Sequence, residues 1–182
     1  RITTLNNSNC GSLRTGIEYA NCHPNTQIIF EVNGEILLLS CLPKIINTMS
    51  IIGNLDSLGR PLNIINGDNE HKLFEIKGVN NCVIENLCLI NSNSAGLLLN
   101  GSSYNKICNC WIGMNFNKEI NSNKYGIILY NSTNNTIGSN PEFEQEYFSN
   151  VISGNKKSGI YLIHSSDNII QNNIIGLSPQ CD

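Results

Sequence analysis

Short apolar runs recur along this chain, and asparagine, glycine and serine punctuate them. Ala95-Gly96-Leu97-Leu98-Leu99 is followed by Asn105-Lys106-Ile107 and then by Trp111-Ile112-Gly113. Tyr125-Gly126-Ile127-Ile128-Leu129 is followed by Asn135-Thr136-Ile137 and then by Asn150-Val151-Ile152-Ser153-Gly154-Asn155. Ser158-Gly159-Ile160-Tyr161-Leu162 is followed by Asn168-Ile169-Ile170 and then by Asn173-Ile174-Ile175-Gly176. The runs are strand-sized and rich in β-branched residues. A unit of roughly 20–35 residues cannot enclose a core by itself and becomes stable by stacking on its neighbours. The pattern predicts a parallel β solenoid. Upstream, strands are expected at Ile28–Val32, Glu35–Leu39, Met49–Ile52, Leu62–Ile65, Leu73–Ile76 and Val83–Leu89, with Gly34, Gly53, Gly67 and Gly78 at corners. Two polar insertions, at about residues 115–124 and 139–149, interrupt the repeat and are expected to leave from one corner.

Strand alternation assigns faces. Leu97 and Leu99, Ile127 and Leu129, and Ile160 and Leu162 are expected to point inward. Leu98, Ile128 and Tyr161 then point outward, one above another, with Asn100, Tyr130 and Ile163 beside them. On the next strand Ile112, Ile152 and Ile175 are expected inside, which leaves Trp111, Val151 and Ile174 outside. Stacked outward apolar residues call for a cover. The insertions folding back, another protein chain, or a sugar stacked on the Trp and Tyr rings would each supply one. Leu98, Trp111, Ile128, Tyr130, Tyr161 and Ile174 are therefore the candidate partner- or sugar-binding residues.

Residues 1–25 do not fit the repeat. In Gly11-Ser12-Leu13-Arg14-Thr15-Gly16-Ile17-Glu18-Tyr19-Ala20-Asn21, the spacing of Leu13, Ile17 and Ala20 predicts a short helix with Ser12 as N-cap and Asn21 as stop. Such a helix would cover the open end of the solenoid, whose unpaired strand edges otherwise template aggregation. The expected organisation is an N-terminal cap over residues 1–25 and one domain of repeats over 26–182. Gly176-Leu177-Ser178-Pro179 repeats the place where Gly113-Met114-Asn115-Phe116 enters the first insertion. The repeats are therefore expected to continue beyond Asp182, or that end to abut another subunit, with Cys181 pairing there.

Gly11-Ser12-Leu13-Arg14 with Ala20-Asn21, then Ile28-Ile29-Phe30 and Asn33-Gly34-Glu35-Ile36, resembles the N-terminal cap of a group of right-handed β-helix proteins. Gly16 stands where that cap usually has Ala. The Asn-x-Ile-x-Gly-Asn and Gly-Ile-x-Leu-x-x-Ser-x-x-Asn-x-Ile units resemble the repeats of the pectin-lyase-like superfamily. The resemblance implies an all-β fold, a right-handed parallel β-helix with a short capping α-helix. It is shared by bacterial surface proteins and adhesins, phage and giant-virus β-helix proteins, and polysaccharide lyases and hydrolases.

Composition sharpens the picture. Charged residues are only 14% of the 182, so asparagine supplies the polarity, and Asn and Ile together make up about a third of the chain. Asn tolerates the left-handed backbone of sharp corners, and stacked Asn side chains hydrogen-bond along a ladder. Net charge is −3 and no basic stripe is present, which argues against a nucleic-acid partner. No apolar run reaches transmembrane length. The eight cysteines include no CxxC pair, and Cys108-Asn109-Cys110 is too tight for an ordinary zinc knuckle. Several are expected as small buried hydrophobes. An extracellular setting would favour at least one disulfide. Cys10 and Cys22 bracket the predicted helix, and Cys41 is an alternative mate for either. Asn6, Asn100, Asn131 and Asn134 stand in N-glycosylation sequons.

Catalytic chemistry is sparse. Enzymes of the superfamily cluster carboxylates on one face to bind calcium or form an acid/base pair. Here Asp56, Asp68, Asp167 and Asp182 are isolated, and no Asp-Asp, Asn-Thr-Asp, His-Gly or Arg-x-Lys motif occurs. Glu142, Glu144 and Glu146, interleaved with Phe143, Tyr147 and Phe148, form one acidic cluster, expected as a solvated loop with a calcium or substrate role as its alternative. His23, His71 and His164 lack metal spacing. No catalytic residue, metal site or cofactor is assigned. The expectation is a non-catalytic extracellular, cell-surface or virion-surface protein, a rigid structural or adhesive rod whose partner is another protein chain or a carbohydrate. The alternative is a carbohydrate-active enzyme or sugar-binding module, and a third reading is a fragment of a longer β-helix.

Overall fold

Asparagine and glycine in left-handed conformations cut the apolar runs into short strands, and the strands line up as the repeats do. The structure, a computed structural model, describes residues 1–115, 117, 119–139 and 149–176. Helix α1 (Leu13–Cys22) comes first, followed by β1 (Thr26–Ile29) and β2 (Gly34–Leu37). The next pass contains β3 (Met49–Ile52), β4 (Asn63–Asn66) and β5 (Phe74–Lys77). Then come β6 (Val83–Glu85), β7 (Leu87–Ile90) and β8 (Ala95–Asn100), and after them β9 (Lys106–Cys108), β10 (Trp111–Ile112) and β11 (Tyr125–Tyr130). The last are β12 (Thr136–Gly138), β13 (Asn150–Ile152), β14 (Ile160–Ile163), β15 (Ile169–Gln171) and β16 (Asn173–Ile175).

These strands form three sheets, and every pairing between them is parallel. The first sheet runs β1-β3-β6-β9-β12-β15, the second β2-β4-β7-β10-β13-β16 and the third β5-β8-β11-β14. The chain visits the sheets in rotation, and each strand pairs with its counterpart one pass later. The protein is thus predominantly β, with parallel sheets and one short helix, an architecture compatible with a β-helix-like solenoid.

Inward rows stack apolar on apolar, most of them Ile and Leu. Ile28, Ile51, Ile84, Ile107, Ile137 and Ile170 are in register along the first sheet. Ile36, Ile65, Leu89, Ile112, Ile152 and Ile175 do the same along the second. Phe74, Leu97, Ile127 and Ile160 form a row of the third, next to Ile76, Leu99, Leu129 and Leu162. All are buried except the last rungs: Ile160 is half-buried, and Leu162, Ile170 and Ile175 are exposed. β-branched side chains on a flat ladder pack against their own kind with little rotamer loss.

The stacked asparagines and serines of the corners are hydrogen-bonded, although among the described residues Asn121 Oδ1 is buried without a partner. Asn105, Asn135 and Asn168 stack one above another, with Asn105 Nδ2 donating to Asn135 Oδ1 at 2.9 Å and Asn135 Nδ2 to Asn168 Oδ1 at 3.0 Å. Each Oδ1 also accepts the backbone N–H one pass earlier, from Cys82, Asn105 and Asn135 in turn. Asn150 and Asn173 repeat the device at a second corner, and Asn123 and Asn155 at the third. Ser102, Ser132 and Ser165 form a parallel hydroxyl ladder through the backbone N–H of Ser102 and Ser132. A buried amide with every donor and acceptor paired tightens the structure, whereas an unpaired one would weaken it.

Several local expectations are corrected. The run Val83–Leu89 is two strands, because Asn86 adopts φ 61° and turns the chain from the first sheet to the second. The insertions leave from two corners rather than one. In chain order the first insertion falls between the second sheet and the third, and the second insertion between the first sheet and the second. At the N-terminus Ile2 forms a parallel bridge to Phe30 and so joins the first sheet ahead of β1.

Helix α1 buries Leu13, Ile17 and Ala20, and Ser12 Oγ accepts from Thr15 N–H at 3.3 Å. The helix runs one residue beyond Asn21, whose side chain instead holds the backbone of Lys44 and Ile46. A Cβ on Gly16 would lie 2.9 Å from Ile2 Cδ1, so the end of the Ile2 side chain would have to shift to admit one. Cys10 and Cys22 are free, exposed thiols. Cys22 is the last residue of the helix and Cys10 lies three residues before its start, so the two stand towards opposite ends of α1.

Candidate functional site

Two outward faces carry the residues singled out from the sequence, and the structure treats them differently. On the second sheet, Ile64, Cys88, Trp111, Val151 and Ile174 are in register along the outer surface. Trp111 is only 7% exposed and Val151 4%. With Cys88, Ile90 and Met114 they form a second apolar cluster, against which Ile64 and Ile174 pack half-buried. Met114 belongs to the first insertion, where it bridges to Ile120, and its carbonyl accepts from Cys88 Sγ at 3.4 Å. Trp111 therefore offers no ring face to a sugar.

The outer face of the third sheet is open. Glu75, Leu98, Ile128 and Tyr161 lie in one row, and Lys77, Asn100, Tyr130 and Ile163 in the next. Leu98, Ile128 and Ile163 are half-buried, and Tyr130 and Tyr161 are exposed. The polar end of this face is internally paired: Lys44 Nζ lies 3.5 Å from Glu75 Oε2, and Asn100 Nδ2 donates to Glu75 Oε1 at 3.2 Å. At the other end Tyr161 stacks on Tyr125, centroids 5.6 Å apart with 10° between planes, and Lys157 Nζ stands 5.4 Å from the centre of the Tyr125 ring. Tyr125 and Lys157 were not singled out from the sequence. The signal was the repeat itself, which sets Tyr125 beside Ser158 and Lys157 one pass later.

Asp56 and the buried cysteines are engaged within the fold. Asp56 Oδ1 accepts from the N–H groups of Leu58 and Arg60, and Oδ2 meets Arg60 Nε at 2.6 Å. Desolvation pushes its carboxyl up, but these donors together outweigh it and hold the group below the ordinary carboxylate range. Cys82, Cys88, Cys108 and Cys110 are buried thiols, and burial pushes each of their pKa values up. That makes them poor nucleophiles. Among the sequon residues, Asn6, Asn131 and Asn134 are exposed, the last two in left-handed conformations, while Asn100 is half-buried and tied to Glu75. Glu142, Glu144 and Glu146 lie outside the described residues, as does Cys181. Among the described residues, no three His, Cys, Asp or Glu side chains are grouped to hold a metal, and no helix is long and apolar enough to cross a membrane.

No protein-family model matches the chain, and no curated protein matches it either.

Proposed function

We propose that this chain is a right-handed parallel β-helix of the pectin-lyase-like kind, and that it works as a rigid, non-catalytic rod at a cell or virion surface. One observation carries the reading: the polar side chains of the corners are hydrogen-bonded to the backbone and to one another from pass to pass. Chemistry placed in that way stiffens a scaffold and leaves little free for a reaction. Extracellular placement follows from the same reading, since a densely hydrogen-bonded parallel stack resists proteases by rarely opening. The carbohydrate-binding alternative draws on the stacked Tyr125 and Tyr161.

The test is to incubate purified protein with polygalacturonate, with and without calcium, and to follow unsaturated products and reducing ends. No turnover is expected, together with survival of the intact chain under prolonged proteinase K treatment and elongated particles by electron microscopy. Calcium-dependent turnover would replace the rod with the enzyme.

A further inference from the structure

The open face of the third sheet ends in a basic corner. Lys157 N–H donates to the Lys124 carbonyl, and Lys156 N–H to the Asn123 carbonyl, so Lys124, Lys156 and Lys157 are stacked on two successive passes. All three are exposed. Among the described residues none pairs with a carboxylate, although three other cations do: Arg1 with Glu31, Lys44 with Glu75 and Arg60 with Asp56. In a chain of net charge −3 this is a local excess of positive charge. Among the described residues, the contact of its side chains is that of Lys157 over the Tyr125 ring.

Resting on the scaffold reading above, we infer that this corner and the adjoining tyrosines dock an acidic peptide segment of a partner protein, its carboxylates on the lysines and an apolar or aromatic side chain on Tyr161 and Ile128. The charge calls for an anion. The neighbouring rungs decide which kind. Leu98, Ile128 and Ile163 offer no hydrogen bonds and the Asn100 amide is engaged by Glu75, so the Tyr130 and Tyr161 hydroxyls and Lys77 are the remaining polar groups of these rows. A glycan, with hydroxyls on every ring, would leave more of them unpaired over these apolar rungs than a peptide whose apolar side chain covers the rungs and whose carboxylates meet the lysines. Exposed lysine–carboxylate pairs add modestly to affinity but steer encounter and fix register.

The test pans a phage-displayed library of random dodecapeptides against the purified protein and measures a labelled winner by fluorescence anisotropy. Winners are expected to carry several Asp or Glu around a Leu, Phe or Tyr. Their affinity should fall about tenfold or more in the triple variant Lys124→Ala, Lys156→Ala, Lys157→Ala, given three exposed pairs of ordinary strength. It should also fall in Tyr161→Ser and with rising salt. Melting curves check that the variants fold. Winners without acidic enrichment, no winners at all, or unchanged binding to the triple variant would overturn the inference. So would lysine-dependent binding of polygalacturonate where peptides fail, since the ligand would then be an acidic polysaccharide. Turnover of polygalacturonate is a separate readout and tells against the scaffold reading instead.

Discussion

Asn135 Oδ1 accepts both the backbone N–H and the side-chain amide of Asn105, each at 2.9 Å. One oxygen thus satisfies the main chain and the side chain of the pass before it. The Asn135 amide donates onward to the Ser102 carbonyl at 3.0 Å and to Asn168 Oδ1.

Asn135→Ala removes that oxygen and strands the Asn105 N–H in a buried site. A stability loss of about 2–4 kcal/mol is expected by urea denaturation. Asn135→Leu restores volume without the hydrogen bonds and is expected to be no better. The exposed control Ser166→Ala should stay within about 0.5 kcal/mol. A neutral Asn135→Leu would mean that packing, and not the amide ladder, holds the corner.

Gly138 has φ +108°, and a Cβ there would come within 1.7 Å of the Gln171 carbonyl oxygen. Both the conformation and the space forbid a side chain. Gly138→Ala is expected to lower the melting temperature clearly, for a cost of about 3 kcal/mol. Gly101, also at positive φ but with open space around it, should tolerate Ala better.

Trp111 and Tyr161 both point away from the main core, yet only Trp111 is covered. Trp111→Ala is expected to cost about 3–5 kcal/mol, as in a core site. Tyr161→Thr should cost under about 1 kcal/mol and leave the fold intact. Similar losses in the two variants would show that the two faces are equally open or equally covered.

The thiols separate by depth. Ellman's reagent on the native protein should react readily with Cys10, Cys22 and Cys41, and with Cys82, Cys88, Cys108 and Cys110 only on unfolding. Burial, with the Glu35 carboxylate as a lesser cause, pushes Cys88 up to about 12. Burial and then Glu85 push Cys108 up to about 12, and burial holds Cys110 protonated further still. Below the ordinary thiol value of about 8.5, both folded and unfolded chains hold these protons, and stability does not depend on them. Above it the unfolded chain releases protons that the folded chain keeps, so stability falls as pH rises through about 9 towards 12. Chemical denaturation at pH 7, 9 and 10.5 should show this decline, and replacing Cys110 with Ala should reduce its slope.

The sequence by itself determined the repeat and its alternation. The pairings of Leu98 with Ile128 and Tyr161, and of Trp111 with Val151 and Ile174, follow from side chains pointing to opposite faces at every second residue, and the observed register agrees. The helix face of Leu13, Ile17 and Ala20, its Ser12 cap and the left-handed asparagines were equally legible, because each is a local consequence of side-chain geometry. Strand ends were legible only to within a few residues, and the turn at Asn86 was not, since Asn is compatible with a strand, a ladder or a corner. Only the tertiary structure decided that Trp111 is buried while Tyr161 is open, and that Tyr125 and Lys157 join that face. Alternation says which way a side chain points, but cover depends on where distant segments such as Met114 return, and no local pattern encodes that.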